Sequence, residues 1–344
     1  MAVSVATRTS ATHFLLFSEQ GGSVPEPCAF RHVLDRPGPS AGGGPGADSS
    51  VIDLVDSIHM HPVGTIAAIR RYPVKSMLGE ELQRTLVHTT GLWGDRVCAL
   101  IDRETGRVAT AKRPHRWRAM LTLRAHCHEG VDGVDVRIVL PDGRELDARS
   151  AETSRILSEL LGREVVTEFS RPGGLELERS NPDEVADRGV DATVEAAVIP
   201  LGGAAPGGGF FDYAPVHFIA TSSLARVAAA SPSGLAEPVR FRPNFVIDTP
   251  RHDPFVENGW VGGTLEVGPE VLLEVLLPTP RCAVPTLGHG NSPADAQLTR
   301  RIGTLNQVEV LDMGPLACLG AYARVLRAGA VSVGDPVSWH PAAA

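Results

Sequence analysis

The chain has 344 residues, 43% of them hydrophobic and 21% charged, enough to bury a core in about two domains of ordinary size. A formal net charge of −8 argues against broad binding to nucleic acid or to anionic membranes, and no stretch reaches the length of a transmembrane helix. Five cysteines, at 28, 98, 127, 282 and 318, form no CxxC pair, which excludes a disulfide framework and the usual zinc or iron–sulfur spacings and points to a reducing cytoplasm.

Residues 1–59 are rich in Ser, Gly, Pro and Ala without periodicity and read as a disordered or non-native extension ahead of Met60. Short strands then follow at 64–72, 84–88, 96–102, 107–111, 120–124 and 134–140, with turn signals at Arg103-Glu104-Thr105-Gly106 and Pro141-Asp142-Gly143. Turns this closely spaced predict an antiparallel sheet curled into a barrel. Ser150 predicts the cap of a helix with apolar Ile156, Leu157, Leu160 and Leu161, stopped by Gly162, before a strand at 164–169. Residues 171–210 read as loop, closing on a glycine run at 202–209, and hold the domain boundary. Beyond it come a strand at 216–220, a helix from 222, strands at 239–248 and 265–277, and a helix starting at Asn291-Ser292-Pro293-Ala294-Asp295 with an apolar stripe of Leu298, Ile302 and Leu305. Strands at 317–326 and 331–337 close the chain.

Chemistry concentrates at strand ends. In Tyr72-Pro73-Val74-Lys75-Ser76 the proline breaks the ladder and leaves an ammonium and a hydroxyl at a rim, which suits a phosphate or a solvated turn. Gly91-Leu92-Trp93-Gly94-Asp95-Arg96 delivers Arg96 from a glycine turn, and Thr110-Ala111-Lys112-Arg113-Pro114 adds two cations, together predicting one anion-binding rim. Only Lys75 and Lys112 among the 32 Lys and Arg residues are lysines, leaving 30 arginines. In Arg240-Phe241-Arg242-Pro243-Asn244, strand alternation puts the two arginines on one face, where they need acids or an anion, and Asn244 offers a donor and an acceptor to a heterocycle. Pro278-Thr279-Pro280-Arg281-Cys282 follows an apolar strand; its prolines predict a stiff loop presenting a thiol beside a guanidinium, a thiolate-favouring pair or an inert core cysteine. No Ser–His–Asp set, GxGxxG or P-loop can be read.

Taken in order, these segments resemble the MOSC family, named for the C-terminal domain of molybdenum cofactor sulfurase. They are similar in particular to members with an N-terminal MOSC β-barrel domain, such as the mitochondrial amidoxime-reducing component and bacterial MOSC proteins. The resemblance rests on Tyr72-Pro73-Val74-Lys75-Ser76, Gly94-Asp95-Arg96, Thr110-Ala111-Lys112-Arg113-Pro114, Phe241-Arg242-Pro243-Asn244, Pro278-Thr279-Pro280-Arg281-Cys282 and Val333-Gly334-Asp335-Pro336-Val337, over about residues 62–340. It implies a mainly β (α+β) fold with a few short helices: an N-terminal barrel domain over 60–178, a glycine-rich linker region over 179–210 and a MOSC barrel domain over 211–340. It also implies a molybdenum cofactor, with Cys282 as catalytic thiolate and metal ligand and Lys75, Ser76, Arg96, Arg242, Asn244 and Arg281 as cofactor-binding residues.

The activity the resemblance implies is reductive oxygen-atom removal from N-oxygenated small molecules, with electrons from a separate donor protein and no nucleic-acid or membrane partner. The alternative is a carrier of the cofactor, or of a persulfide on Cys282, without turnover. A pyridoxal phosphate role would need a Schiff-base lysine from Lys75 or Lys112 and is not expected. Relatives that reduce N-hydroxylated compounds carry a Thr-Thr-Val-Asp-Pro run after the cysteine. Here Pro285-Thr286-Leu287-Gly288-His289 lacks the acid, and Pro280 stands where a small residue precedes the Arg-Cys pair. Thr221 and Ser223 fall in a Ser/Thr turn of the family, with helix capping as the alternative use.

Overall fold

The computed structural model describes residues 61–342 apart from 132, 233 and 235, so the expectation for residues 1–59 lies outside the described residues. Seven strands close a barrel: β1 (His61–Arg71), β2 (Val216–Ala220), β3 (Phe245–Asp248), β4 (Thr264–Val267), β5 (Val271–Pro280), β6 (Pro315–Arg327) and β7 (Pro336–His340). Their order around the barrel is β2-β3-β1-β7-β4-β5-β6, and β6 returns to β2. Closure pairs the edges that an open sheet would leave free. The pair β2–β3 is parallel and the other pairs are antiparallel. A parallel pair needs a crossover, which the helices Thr221–Ala230 and Pro238–Phe241 provide.

The period of two decides which side chains fill the barrel. Along β5, Val271, Leu273 and Val275 are buried while Leu272, Glu274 and Leu276 between them are half-buried. They meet Ile66, Ile69, Phe218, Phe245, Leu265 and Ala323 in the barrel core. β2 is buried along its whole length because its outer face is covered as well: Ile219 packs with Leu224, Val227, Leu298 and Ile302 from two helices. A second core gathers Val74, Met77, Leu100, Trp117, Met120, Val136, Ile138 and Leu157. It is flanked by the strands Arg124–Gly130, Gly133–Val139 and Glu145–Asp147 and by the helix Ala151–Leu161. That helix starts and stops where its sequence predicts: Ser150 Oγ accepts the Glu152 N–H, and Gly162 ends it at φ 67°.

Several stretches differ from expectation, each for a local reason. Residues 120–124 do not form a strand; Pro114 starts a helical turn that runs on as a 3-10 turn, Arg118–Thr122, and the strand begins at Arg124. The strand expected at 96–102 is shorter, Ala99–Asp102, and pairs with Val165–Glu168. The stretch 171–210 is not all loop. It holds a hairpin of Glu176–Ser180 with Ala196–Pro200 and a helix, Pro182–Arg188, capped by Asn181. The strand expected over 239–248 divides, because Pro238 at a helical first position starts the turn Pro238–Phe241 before β3.

The prolines of the cysteine stretch do not end β5. Pro278 and Pro280 pair with Ala321 and Cys318 at irregularities of the ladder, where a missing N–H is tolerated. The stretch 265–277 is two strands, β4 and β5, and 331–337 is broken between Gly329–Ser332 and β7. The last long helix starts at Leu298, not near Asn291; Asp295 instead pairs with Arg301 and donates its N–H to Thr286 O at 2.9 Å. Among the described residues no helix is long and apolar enough to cross a membrane.

Candidate functional site

The turn after β1 is laced to the Gly94–Cys98 segment. Arg96 N–H donates to Tyr72 O at 2.9 Å, Cys98 N–H to Pro73 O at 3.1 Å and Lys75 N–H to Cys98 O at 2.9 Å. This seats two cations on neighbouring corners. Lys75 Nζ donates to Phe210 O at 2.9 Å and to Asp212 Oδ1 at 2.6 Å, and Lys112 Nζ lies 3.0 Å from the same carboxylate oxygen. Arg96 pairs with the buried Asp95 and donates to Arg242 O at 3.2 Å. Asp95 also accepts the Tyr72 N–H at 2.7 Å and Asn244 Nδ2–H at 3.0 Å. The guanidiniums of Arg96 and Arg242 flank the Tyr72 ring at 5.1 and 4.3 Å from its centroid. Arg242 donates to Met77 O, and among the described residues no carboxylate oxygen lies within 4.0 Å of it. Lys75 and Lys112 therefore share Asp212 and Arg96 holds Asp95, while Arg242 beside them has no carboxylate partner among the described residues.

The electrostatics follow from that count. Burial pulls the Lys75 ammonium down to about 8, although Asp212 works against it. Burial by itself would raise Asp212, but Lys112 and Lys75 outweigh it and hold the carboxyl well below its ordinary value. Burial, then the charge of Arg96, brings Arg242 down to about 10. The backbone carries a matching sign of constraint. Ser76, Arg96 and Arg242 have φ of 64°, 51° and 56°, three of five such non-glycine residues among those described. Left-handed backbone at these residue types costs about 1–3 kcal/mol each and persists where the surroundings impose it. All three sit at corners of this one cluster.

The cysteine follows β5. Cys282 is half-buried against Ala111, Leu121, Val284 and Leu287. Burial pushes the thiols of Cys98 and Cys127 up to about 12 and that of Cys318 to about 11, so these three stay protonated at neutral pH. Among the described cysteines Cys282 alone is not buried. Arg281 turns inward: it donates to Phe241 O at 3.2 Å and to Leu319 O, and lies 2.7 Å from His217 Nε2. Burial and Arg281 hold His217 well below its ordinary value, so its Nε2 is free to accept. Burial above all, then Asp212, pushes the Tyr322 hydroxyl up. Cys282 packs against Ala111, whose N–H Ser76 accepts and whose chain neighbour is Lys112, which sets the thiol next to the cationic loop.

His289 is buried and bonds Leu287 O through Nδ1 at 2.9 Å; a carbonyl only accepts, so Nδ1 carries the hydrogen. Burial brings it down to about 4, leaving Nε2 a neutral acceptor with no partner among the described residues. The Tyr72 hydroxyl is likewise buried and unpartnered among them. A surface cleft of about 590 Å³ between His115, Arg118, Val190 and Gly288 contains none of the residues expected to form the site.

Of those residues, Lys75, Ser76, Arg96 and Arg242 come together, and Cys282 packs against Ala111 beside the Lys112 loop. Ser76 accepts the Ala111 N–H at 3.2 Å, tying the Lys112 loop in place. Asn244 is engaged within the protein: Nδ2 bonds Arg70 O at 3.3 Å as well as Asp95, and Oδ1 accepts the His217 N–H at 3.1 Å. It aims Asp95, and through it Arg96. The expected cationic rim gains Lys112, whereas Arg113 turns to Glu178 at 3.6 Å and Val194 O at 3.2 Å. Arg240 and Arg242 do not share a strand face, since the chain there is a helical turn. Thr221 and Ser223 bond Asp248 and Glu257. The residues that sequence reasoning missed are Asp95, Asp212, Tyr72 and Tyr322. Asp95 stands in the Gly-Asp-Arg motif, but Asp212 is 137 positions from the lysine it binds, and no spacing marks it.

A seven-strand β barrel together with two matched segments of the chain defines the class of the protein. The chain belongs to the MOSC domain family: the MOSC N-terminal beta barrel domain matches residues 63–163 and the MOSC domain matches residues 207–338. MOSC domains are associated with molybdenum cofactor sulfurases and with binding of that cofactor. Among solved structures, the YuaD protein from Bacillus subtilis is 13% identical, with 83% of this chain and 97% of that one covered at a TM-score of 0.37. YiiM from Geobacillus stearothermophilus is 16% identical, with 36% of this chain and 53% of that one covered at a TM-score of 0.27. No curated protein matches the chain.

Proposed function

We propose that the protein is a molybdenum-cofactor-dependent oxidoreductase that removes oxygen from N-oxygenated small molecules, with Cys282 as the thiolate ligand of the metal. The observation that carries this reading is the cluster of Lys75, Lys112, Arg96 and Arg242 with only two carboxylates, Asp95 and Asp212, among the first three, next to the one cysteine that is not buried among those described. Cations held together in a poorly solvated place call for an anion. The donor set suits a phosphate-bearing pterin. Lys75 and Lys112 would hold the phosphate, Arg96 and Arg242 the polar ring system, and the unpartnered Tyr72 hydroxyl and His289 Nε2 supply a donor and an acceptor for its edge.

When bound, the cofactor supplies the two-electron redox chemistry; the protein supplies position and charge. Asn244 and Asp95 keep Arg96 aimed, and Lys75 stays charged below pH of about 8. Electrons would arrive from a separate donor protein. One observation favours a second reading, a carrier of the cofactor or of sulfur on Cys282: the loop Pro285 to His289 brings no acid, and His289 is neutral at pH 7.

Metal and pterin analysis of the wild type beside Cys282→Ser tests both. The expected result is molybdenum and pterin in the wild type and loss of most of the molybdenum in the variant. A wild type without either, after expression with ample molybdate, sinks the proposal. Cofactor bound without any reduction of an N-hydroxylated substrate by a chemical donor selects the carrier.

A further inference from the structure

One buried residue joins the cysteine loop to Arg242. Arg240 lies on the turn Pro238–Phe241, and Arg242 caps that same turn in the left-handed conformation. Its relative exposure is 0%, the lowest value a charged side chain can have. Nε donates to Glu237 Oε2 at 2.7 Å, Nη1 to Pro285 O at 3.3 Å and Leu287 O at 3.2 Å, and Nη2 to Pro293 O. The other oxygen of Glu237 accepts from Ser292 Oγ at 3.1 Å. Three carbonyls and one hydroxyl of the loop after Cys282 are thus gathered onto a single ion pair. A guanidinium can do this because its fork is planar and rigid; an ammonium on a flexible stem cannot span the same carbonyls.

We propose that Arg240 is a positioning residue: it locks the loop carrying Cys282 to the turn carrying Arg242, so that thiol and cation keep a fixed separation. The consequence at the metal rests on the molybdenum reading, whereas the lock itself is a property of the ligand-free protein. Without it the loop keeps its covalent ends but loses its central anchor, and Cys282, now only half-buried, opens to solvent.

The rate of Cys282 alkylation, followed by intact mass in a Cys28→Ser background, reads that opening, because the other three thiols are buried. Arg240→Ala is expected to accelerate it about tenfold, equivalent to about 1.4 kcal/mol. Guanidinium ion at non-denaturing concentration should slow the variant back toward the wild type, which a general loss of stability would not show. Arg240→Lys should fall between. If Arg240→Ala does not fold, Arg240→Lys and Ser292→Ala carry the test, each with an expected acceleration of about threefold. Rates within about twofold of the wild type in every folded variant, or acceleration of Arg240→Ala that guanidinium leaves untouched, overturn the proposal. Cofactor content, measured on the same samples, separates the two questions. Molybdenum lost in Cys282→Ser, with unchanged alkylation in the Arg240 variants, refutes the lock and leaves the binding reading standing.

Discussion

Four arginines, Arg96, Arg240, Arg242 and Arg281, lie on the cysteine stretch and on the segments that form the cationic cluster, and they divide into two kinds. Arg240 and Arg281 direct most of their donors to backbone carbonyls, on Pro285, Leu287 and Pro293 for one and on Phe241 and Leu319 for the other. Arg96 and Arg242 flank the Tyr72 ring, each reaches a single backbone carbonyl, and their one carboxylate partner is Asp95, held by Arg96. The first kind is scaffold: its hydrogen bonds end on fixed groups that would be stranded without it. The second kind has fewer fixed partners, which is what the proposed anion site requires. Residue type does not separate them; what the donors reach does.

The comparison breaks most visibly at Arg281. Arg281→Met strands two carbonyls and the His217 ring nitrogen, and it is expected to lower stability by about 3 kcal/mol in urea unfolding. A loss below about 1 kcal/mol would move Arg281 out of the scaffold. Next comes the pH dependence of Lys75. Its folded value of about 8 lies below its ordinary 10.5, so between those two pH values the unfolded chain binds the extra proton and stability rises with pH. Below about pH 8 the cost of keeping the buried ammonium charged is fully present. Anion binding runs the other way. Pyrophosphate affinity, measured by calorimetry, should fall about tenfold per pH unit above 8, and Lys75→Arg should remove the fall.

Two smaller effects sharpen the same division. Lys112→Ala should weaken pyrophosphate about tenfold while changing stability by about 1 kcal/mol or less. A large stability loss with unchanged affinity would place Lys112 with the scaffold. Cys282→Ser should change stability in urea unfolding least, by about 0.5 kcal/mol or less, since the side chain is half-buried and the change is small.

How far the sequence could be read depended on how local each determinant is. The helix Ala151–Leu161 was legible because its cap, apolar stripe and stop lie within thirteen consecutive residues, Ser150 to Gly162. Lys75, Arg96 and Lys112 were legible as a group because prolines and glycines mark the corners they occupy. Arg240 was not. Alternation presumes an extended chain, and Pro238 had already started a helical turn. The hairpin of Glu176–Ser180 with Ala196–Pro200 was hidden because its apolar face toward Ala99 and Phe210 rests on few residues, Leu177 among them, set between charged ones. Asp212 had no local signature at all; only the fold brings it to Lys75.

The place of β1 in the barrel has a consequence for how the protein is made. His61 pairs with Trp339 and Thr65 with Pro336, so β1 finds its neighbour in a strand far along the chain that is made long after it. Contacts so distant along the chain make folding slow, and closure cannot happen before β7 has emerged. Until then β1 and β4, both partners of β7, each hold out an unpaired edge. A nascent chain stalled just before Pro336 is expected to be cut readily by protease, and emergence of β7 to confer resistance. Resistance already present in the stalled chain would mean that the barrel's staves can wait in a closed arrangement without the strand between them.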